Sequence, residues 1–288
     1  MDGQPSERLA SRASRVLGWW PQSWRRVSGG YTPTARWVVR GDGVSAFVKA
    51  AVDPLTAGML RREIAAYRVI DGSFVPKVLG CEDDETEPLL IIEDLSGATW
   101  PPPWSPEQVH QVLAALQALR SSAAQLPSYE TVHGGRAPGW AAVAVEPAPF
   151  LSLGVAGPRW LDQSLPALLV AEAACDPGGD APTHWDVRSD NLCFTREGVK
   201  LIDWPEACLS NPKMDIGCWL PSLAFEGGPE PETILPRAPE IAAWVCGYFA
   251  ARAGLPIIPT APKVRRVQRE QLSIALPWAA RALGLDAP

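Results

Sequence analysis

The strongest constraint on the fold is a change in hydrophobic periodicity near residue 100. Residues 24–49 hold short β-rich runs, and Gly41-Asp42-Gly43 is typical of a hairpin turn between two of them. A helical pattern follows over residues 53–72, and residues 77–95 indicate two more strands around an acidic turn. These segments predict a five-stranded sheet with one helix. From residue 105 onward the periodicity is mostly helical, so the sequence predicts an α+β protein.

The segment SGATWPPPW, residues 96–104, fits neither pattern and predicts a linker. Ser105, Pro106 and Gln108 then provide an N-cap, a first-turn proline and a capping-box partner for a helix. We therefore predict a small β-sheet lobe with one main helix over residues 1–95 and a larger, mainly helical lobe over residues 96–288. A short β-like pair around residues 192–203 is the exception in the second lobe.

Composition excludes several classes of function. The 288 residues carry a net charge of -6, which argues against nucleic-acid binding because that requires a basic face. No apolar run reaches the length of a membrane span, and the N-terminus has no apolar segment of the kind found in secretion signals. Six cysteines without CxxC spacing favour buried thiols over disulfides or zinc. These features predict a cytoplasmic protein with no membrane or nucleic-acid partner.

The charge is unevenly distributed along the chain. Residues 96–288 hold 14 Lys and Arg against 19 Asp and Glu, a net charge of -5, whereas residues 1–95 are near neutral. This imbalance favours a cationic substrate on the second lobe, but ordinary solvated surface acids explain it equally well. The candidate cation contacts are Glu206, Glu226, Glu230 and Glu232.

The stretch THWDVRSDNLCF, residues 183–194, concentrates polar side chains just before an apolar run. Its spacing is H-x-D-x-x-x-x-N, and a predicted hairpin after it ends at Asp203. Phosphoryl transfer from ATP requires a carboxylate that orients the accepting hydroxyl, and oxygen ligands for magnesium. Asp186 is the candidate base, and Asn191 and Asp203 are the candidate magnesium ligands. Asp186 alone is also consistent with a residue that caps a turn.

The sequence also contains the cations that such a reaction requires. Lys49 lies in the third predicted strand, and Glu63 follows on the next helix, where it can pair with the lysine. Arg188, two residues beyond Asp186, can reach the γ-phosphate. An ordinary surface ion pair between Lys49 and Glu63 is the alternative interpretation.

Taken in this order, the motifs resemble those of the aminoglycoside phosphotransferase and choline kinase-like family, the small-molecule branch of the protein-kinase-like fold. The resemblance implies two lobes with ATP bound between them. It implies that Lys49 and Glu63 pair near the phosphates, that Asp186 is the catalytic base, and that Asn191 and Asp203 bind magnesium.

Three further segments resemble family features. LLIIEDL, residues 89–95, resembles the hinge, whose backbone from Ile92 to Asp94 would bond adenine. SGGYTPT, residues 28–34, resembles the turn that covers the phosphates, with Gly29, Gly30 and Thr32 as nucleotide contacts. PKMDIG resembles the stretch in which an aspartate, here Asp215, braces the catalytic loop.

Two departures concern the substrate. Trp185 stands where protein kinases carry an arginine that holds a phosphorylated loop. Only 11 residues separate Asp203 from Asp215, too few for such a loop and a peptide platform, so a protein substrate is disfavoured.

The sequence thus predicts an ATP- and magnesium-dependent kinase that phosphorylates a hydroxyl group of a small molecule. An aminoglycoside or another amine-bearing antibiotic or metabolite is the favoured substrate class, which would give a role in antibiotic resistance. The alternative is a nucleotide-binding pseudokinase or regulatory module. The identity of the acceptor and the oligomeric state are left open.

Overall fold

The computed structural model of the protein describes residues 4–28, 30, 33–134 and 138–288. Its contacts divide the chain into two compact units. The sheet unit contains the described residues up to Pro101 together with Asp190–Ala207, and the helical unit contains Pro102–Ser189 and Cys208–Pro288. A late segment of the chain is therefore grouped with the N-terminal residues. The division into domains of residues 1–95 and 96–288 stays a prediction.

The sheet unit is built on an antiparallel five-stranded sheet, as the sequence predicts. The strand order is β1-β2-β3-β5-β4, and every neighbouring pair is antiparallel. The sequence pattern predicts only the second of the two helices of this unit. The elements are α1 (Glu7–Leu17), β1 (Ser23–Arg26), β2 (Ala35–Gly41), β3 (Val44–Ala50), α2 (Pro54–Val69), β4 (Val78–Glu82) and β5 (Leu89–Glu93).

Helix α2 begins at a capping box. The Asp53 carboxylate accepts a hydrogen bond from the Thr56 backbone N–H, and the Thr56 hydroxyl oxygen accepts one from the Asp53 N–H. These bonds satisfy N–H groups that the first helical turn leaves without intrahelical partners. The helix ends at Val69, before the predicted stop at Gly72, because Ile70 already has an extended backbone.

The two helices of the sheet unit bury different side chains of the sheet. Ala13 of α1 packs in a cluster with Trp37 and Val48, whereas Leu60 of α2 packs in a cluster with Leu90. Side chains alternate between the two faces of a strand, so each cluster collects every second residue. The sheet face that packs against α2, called the α2 face, carries the site described below.

The helical unit begins as the sequence predicts. Ser105 and Gln108 form a capping box at the start of α3, with Pro106 in the first turn. Two short strands, Ala181–Thr183 and Cys208–Ser210, pair antiparallel. The candidate catalytic stretch, residues 183–194 and below called the catalytic stretch, begins at the end of the first of these strands. The helices are α3 (Pro106–Arg120), α4 (Tyr129–His133), α5 (Gly139–Val145), α6 (Ala148–Leu151), α7 (Pro158–Ala174), α8 (Lys213–Phe225), α9 (Pro231–Ile234), α10 (Pro239–Ala253) and α11 (Val264–Leu283).

The predicted hairpin near residues 192–203 is present and belongs to the sheet unit. Its strands, Leu192–Thr195 and Gly198–Leu201, pair antiparallel. The Leu201 N–H donates to the Phe74 carbonyl at 2.7 Å, and Thr99 forms a β-bridge with Phe194. The hairpin is thereby attached to segments that come more than ninety residues earlier in the chain. Within the described residues, none of the helices has both the length and the apolar character needed to cross a bilayer.

Candidate active site

Lys49 lies on β3 with its side chain on the α2 face of the sheet. Its cross-strand neighbour on β5 is Leu90, which packs in the α2 cluster. Strand alternation and the position of α2 therefore direct Lys49 toward that helix. The Lys49 ammonium donates to the Glu63 carboxylate at 2.5 Å and to the Asp203 carboxylate at 2.8 Å. The predicted contact between Lys49 and Glu63 is present, and both side chains are buried, so it is not a surface ion pair.

The three charges set each other's protonation. Burial by itself lowers the pKa of the Lys49 ammonium, but the charges of Asp203 and Glu63 outweigh burial and hold that pKa above its ordinary value. Burial raises the pKa of Glu63 to about 7, although Lys49 opposes this rise. Lys49 is therefore a cation held in place by two carboxylates. A buried lysine with this arrangement is a candidate for binding a phosphate group.

Asp203 is fixed by contacts from α2 to the residues that follow it. The Arg62 guanidinium donates to the Pro205 carbonyl at 2.9 Å, and the Tyr67 ring packs against Trp204 with its centroid 6.5 Å away. Asp203 itself has a φ of 65°, in the left-handed region that costs a residue with a side chain free energy. Such a backbone persists where its surroundings determine it, and here they place the carboxylate on the Lys49 ammonium.

Asn191 lies at the open end of the same hairpin. The Ile202 N–H donates to the Asn191 carbonyl at 2.9 Å, so Asn191 is the backbone neighbour of the residue before Asp203. An amide oxygen and a carboxylate oxygen are donors of the type that Mg²⁺ takes, and this ion commonly binds one or two protein groups together with phosphates. No group of three or more His, Cys, Asp or Glu side chains that could hold a metal occurs among the described residues. The oxygens of Asn191 and Asp203 are donors of the type that magnesium takes, and magnesium binding by these residues stays a prediction.

The predicted nucleotide contacts are only partly described. Gly29 and Thr32 lie outside the described residues. Gly30 lies between β1 and β2 with a φ of 71°. Ile92 is buried in β5, opposite Phe47 of β3, and Asp94 follows the strand and accepts hydrogen bonds from Ser96. Adenine binding by the backbone from Ile92 to Asp94 stays a prediction.

In the helical unit, Asp215 bridges the start of the catalytic stretch. Its carboxylate accepts the His184 N–H at 2.8 Å and the Trp185 N–H at 2.7 Å. Asp215 is buried in the first turn of α8, and His184 is fully buried. The bracing contact that the family resemblance implies is thus present. The His184 ring is bonded to backbone, since its Nδ1 accepts the Asp186 N–H at 3.2 Å.

Trp185, the main departure from the family pattern, fills a cluster of rings. Its centroid lies 4.8 Å from that of His133, 5.0 Å from Tyr129 and 5.7 Å from Trp244. Its indole N–H donates to the Ser210 hydroxyl at 2.7 Å. Trp185 has a φ of 64°, so the bonds to Asp215 and Ser210 hold a backbone that tryptophan rarely adopts. At this position the chain has an aromatic cluster, whereas protein kinases carry an arginine that binds a phosphorylated loop.

The candidate base is paired with the neighbouring candidate cation. Arg188 Nη2 donates to Asp186 Oδ2 at 3.2 Å, and the two side chains form an ion pair in which Nε lies 3.0 Å from Oδ1. The Asp186 side chain retains about a third of its exposure, so the carboxylate is reachable by a substrate. The paired guanidinium fixes the direction of this carboxylate. The roles of Asp186 as base and of Arg188 as γ-phosphate ligand stay predictions.

Comparison with known proteins agrees with these local features. The phosphotransferase enzyme family matches residues 23–255, which include the β2–β3 hairpin, Lys49 and the whole catalytic stretch. The chain belongs to the phosphotransferase enzyme family. No curated protein matches the sequence.

Solved structures show the protein-kinase-like fold of this phosphotransferase family member. A thermostable mutant of aminoglycoside phosphotransferase APH(4)-Ia, solved with ADP and hygromycin B, is 13% identical with a TM-score of 0.58, over 95% of this chain and 98% of that chain. Choline kinase LicA from Streptococcus pneumoniae is 16% identical with a TM-score of 0.58, over 96% and 98%. The predicted family and fold class are confirmed.

Glu226 contacts the catalytic stretch of this family member in a way that the sequence does not predict. Glu226, at the end of α8, accepts the Ser189 hydroxyl at 2.6 Å and the Trp104 indole N–H at 2.8 Å. Ser189 lies between the candidate base and Asn191 in sequence, so Glu226 holds the middle of the stretch. No sequence signal connects these residues, which are 37 and 122 positions apart.

The other candidate cation contacts are also engaged. Glu230 and Glu232 both pair with Arg281, and Glu206 lies 4.0 Å from the Arg62 guanidinium. Exposed pairs of this kind contribute little to stability. They do compensate the acidic charge locally, so these glutamates are weaker candidates for binding a cationic acceptor than the sequence alone indicates.

The Asp215 contact predicts a pH dependence of stability in this phosphotransferase family member. Burial raises the pKa of Asp215 to about 6 from 3.8, although the His184 and Trp185 N–H groups oppose the rise. Because the folded state binds the proton more tightly than the unfolded state, the free energy of unfolding falls as pH rises through this interval. The fall approaches about 3 kcal/mol at most.

Denaturant unfolding of wild type and Asp215→Asn from pH 3.5 to 7 tests this expectation. All other titrating groups are common to both proteins, so the difference between them isolates Asp215. Relative to Asp215→Asn, wild type should lose stability between pH 4 and 6 and then level off. A difference that is constant with pH would contradict the raised pKa.

Proposed function

We propose that this protein is a kinase that transfers the γ-phosphate of ATP, with magnesium, to a hydroxyl group of a small molecule. The observation that carries the proposal is the buried Lys49 ammonium, held between Glu63 and Asp203 at 2.5 and 2.8 Å. This arrangement presents a fixed cation beside a carboxylate that can ligate a metal. Family membership and the fold support the same chemistry.

Each group has a defined task in this proposal. Lys49 neutralises phosphate oxygens, because a fixed positive charge stabilises the charge that develops on them. Asp203 and Asn191 would hold magnesium, which supplies further charge neutralisation when bound. Asp186 accepts a hydrogen bond from the acceptor hydroxyl and takes its proton as the oxygen attacks the γ-phosphorus, whose bond to the ADP oxygen breaks so that ADP leaves. Arg188 orients the Asp186 carboxylate through their ion pair and the hydrogen bond from Nη2.

The proposed acceptor is an aminoglycoside or another amine-bearing antibiotic or metabolite, which would make a role in antibiotic resistance possible. The net charge of -5 over residues 96–288 supports a cationic acceptor. One solved structure of similar fold contains hygromycin B, and another is a choline kinase. A protein acceptor is not proposed, since only 11 residues lie between Asp203 and Asp215.

Steady-state assays of ADP release over a panel of hydroxylated compounds test the proposed function. The panel should contain aminoglycosides, amino alcohols and neutral sugars, each with Mg·ATP. We expect acceptor-dependent turnover with at least one compound, and phosphorus NMR of the product should show a phosphate monoester. Nucleotide binding without turnover of any acceptor would instead favour a pseudokinase or regulatory module.

A cationic acceptor predicts a specific dependence on salt. With ATP saturating and the acceptor limiting, kcat/KM should fall as ionic strength rises, because attraction between exposed charges is screened over ~8 Å near physiological salt. The same titration with a neutral acceptor is the control, because it shows the effect of salt on nucleotide binding alone. Equal salt dependence for charged and neutral acceptors would exclude electrostatic attraction of the acceptor.

A further inference from the structure

A second buried cation lies beside Lys49. Arg36 on β2 is the direct cross-strand partner of Lys49 on β3. Directly opposed residues of neighbouring antiparallel strands place their side chains on the same face, so both cations lie on the α2 face. Arg36 is 9% exposed and Lys49 is 7% exposed. Two cations buried side by side in a sheet are costly unless anions lie close by, as Glu63 and Asp203 do at Lys49.

The Arg36 guanidinium lies close to Gly30 and Thr34, two described residues between β1 and β2. A Cβ atom added to Gly30 would lie 2.9 Å from Nη2 and 3.3 Å from Nη1 of Arg36. Glycine therefore permits a close approach between the backbone at Gly30 and the guanidinium. Arg36 Nη1 also donates to the Thr34 carbonyl at 3.2 Å. These contacts hold the cation at the turn that resembles a phosphate cover.

Local charge supplies a reason for a second cation. Lys49 is bonded to two carboxylates, Glu63 and Asp203, so these three groups sum to -1 when both carboxylates are ionised. A polyphosphate would meet a negative cluster at Lys49 if no other cation were present. Arg36 brings the sum to zero, and its guanidinium remains charged at any physiological pH. Its planar geometry also suits two oxygens of one phosphate, which an ammonium cannot match.

We propose that Arg36 is a second phosphate-binding cation of the nucleotide site and binds the phosphate chain of a nucleoside diphosphate or triphosphate next to Lys49. The proposal rests on the proposed function, because it assumes that a nucleotide binds on the α2 face. Arg36 lies outside every motif described above, and the family resemblance assigns it no contact with phosphate.

The test compares the affinities of ADP and adenosine for wild type, Arg36→Met and Arg36→Lys by calorimetry. Methionine keeps the buried stem and removes the charge. Loss of a hydrogen bond to a charged group weakens binding about 10- to 100-fold, so ADP should bind Arg36→Met more weakly by that factor. Adenosine has no phosphate, and its affinity should stay unchanged. Arg36→Lys should give an intermediate affinity for ADP, since it keeps the charge without the fork.

The matched control is Arg26→Met. Arg26 is an exposed arginine on β1 opposite Trp37, whose side chain packs in the α1 cluster on the other face of the sheet. We expect its affinity for ADP to equal that of wild type. Unchanged ADP affinity in Arg36→Met would overturn the proposal. Equal losses for ADP and adenosine would also overturn it, because they indicate that Arg36 only supports the fold.

Two further measurements keep the test decisive. If Arg36→Met does not fold in a thermal melt, Arg36→Lys carries the comparison, with a several-fold loss confined to ADP as the expected result. Lys49→Met separates this inference from the proposed function. Weaker ADP binding in Lys49→Met with no change in either Arg36 variant would overturn the Arg36 role alone. No binding of ADP by wild type would overturn both.

Discussion

Asp186→Asn should lower kcat by about 10² to 10⁴, the contribution of a positioned general base. The affinity for Mg·ATP should change little, because the base acts on the acceptor hydroxyl and not on the nucleotide. Asparagine keeps the size of the side chain and one acceptor oxygen for Arg188. The effect should therefore appear in turnover, measured with the acceptor identified from the panel, and not in a thermal melt.

Asp180→Asn is the matched control for this result. Asp180 is exposed and directly precedes the strand Ala181–Thr183, so the control makes the same chemical change six residues earlier in the helical unit. Its kcat should equal that of wild type. Turnover of Asp186→Asn within threefold of wild type would show that another group takes the proton.

The second large effect concerns Asp203. Asp203→Ala should abolish detectable turnover and weaken Mg·ATP binding about 10-fold or more, because the metal would lose its carboxylate ligand. When EDTA removes the magnesium, the effect of the substitution on nucleotide affinity should reverse. The Asp203 carboxylate lies 2.8 Å from the Lys49 ammonium and partly compensates its charge. Without this carboxylate the ammonium attracts phosphate more strongly, so ADP without metal should bind the variant at least as tightly as wild type.

Calorimetry with and without magnesium distinguishes these outcomes. Asp71→Asn is the control, since Asp71 is an exposed aspartate of the same unit. It should show the magnesium dependence of wild type. Equal magnesium dependence in Asp203→Ala and wild type would remove Asp203 from the metal site and leave it as an ion-pair partner of Lys49 only.

Local sequence determined the elements that carry the site. The capping boxes at Asp53 and Ser105 start α2 and α3 because short polar side chains satisfy the N–H groups of a first helical turn. Alternating apolar residues around Gly41-Asp42-Gly43 predict β2 and β3, and with them the strand position of Lys49. The spacing H-x-D-x-x-x-x-N marked the catalytic stretch, because the chemistry of phosphoryl transfer restricts which residue types can stand there.

The sequence predicted fewer of the features that depend on contacts between residues far apart in the chain. The sequence does not predict helix α1, whose Arg12 buries its guanidinium beside Glu82 at the end of β4 and Asp84 in the acidic turn that follows. The sequence indicates Glu226 as a candidate cation contact or a solvated surface acid, yet Glu226 accepts hydrogen bonds from Ser189 and Trp104. Periodicity reports which side of an element is buried, and it does not report which other element covers that side.

Tertiary structure alone decided that Asp203 joins the predicted pair of Lys49 and Glu63. Asp203 follows Lys49 by 154 residues, and only the attachment of its hairpin to the sheet unit brings the two within 2.8 Å. Arg36 became a candidate only through strand register, because a shift of one residue would have turned its side chain to the α1 face. The sequence by itself determined residue types, element types and their order. Register and packing decided which charges share one buried place, since these arise from contacts between segments that are far apart in the chain.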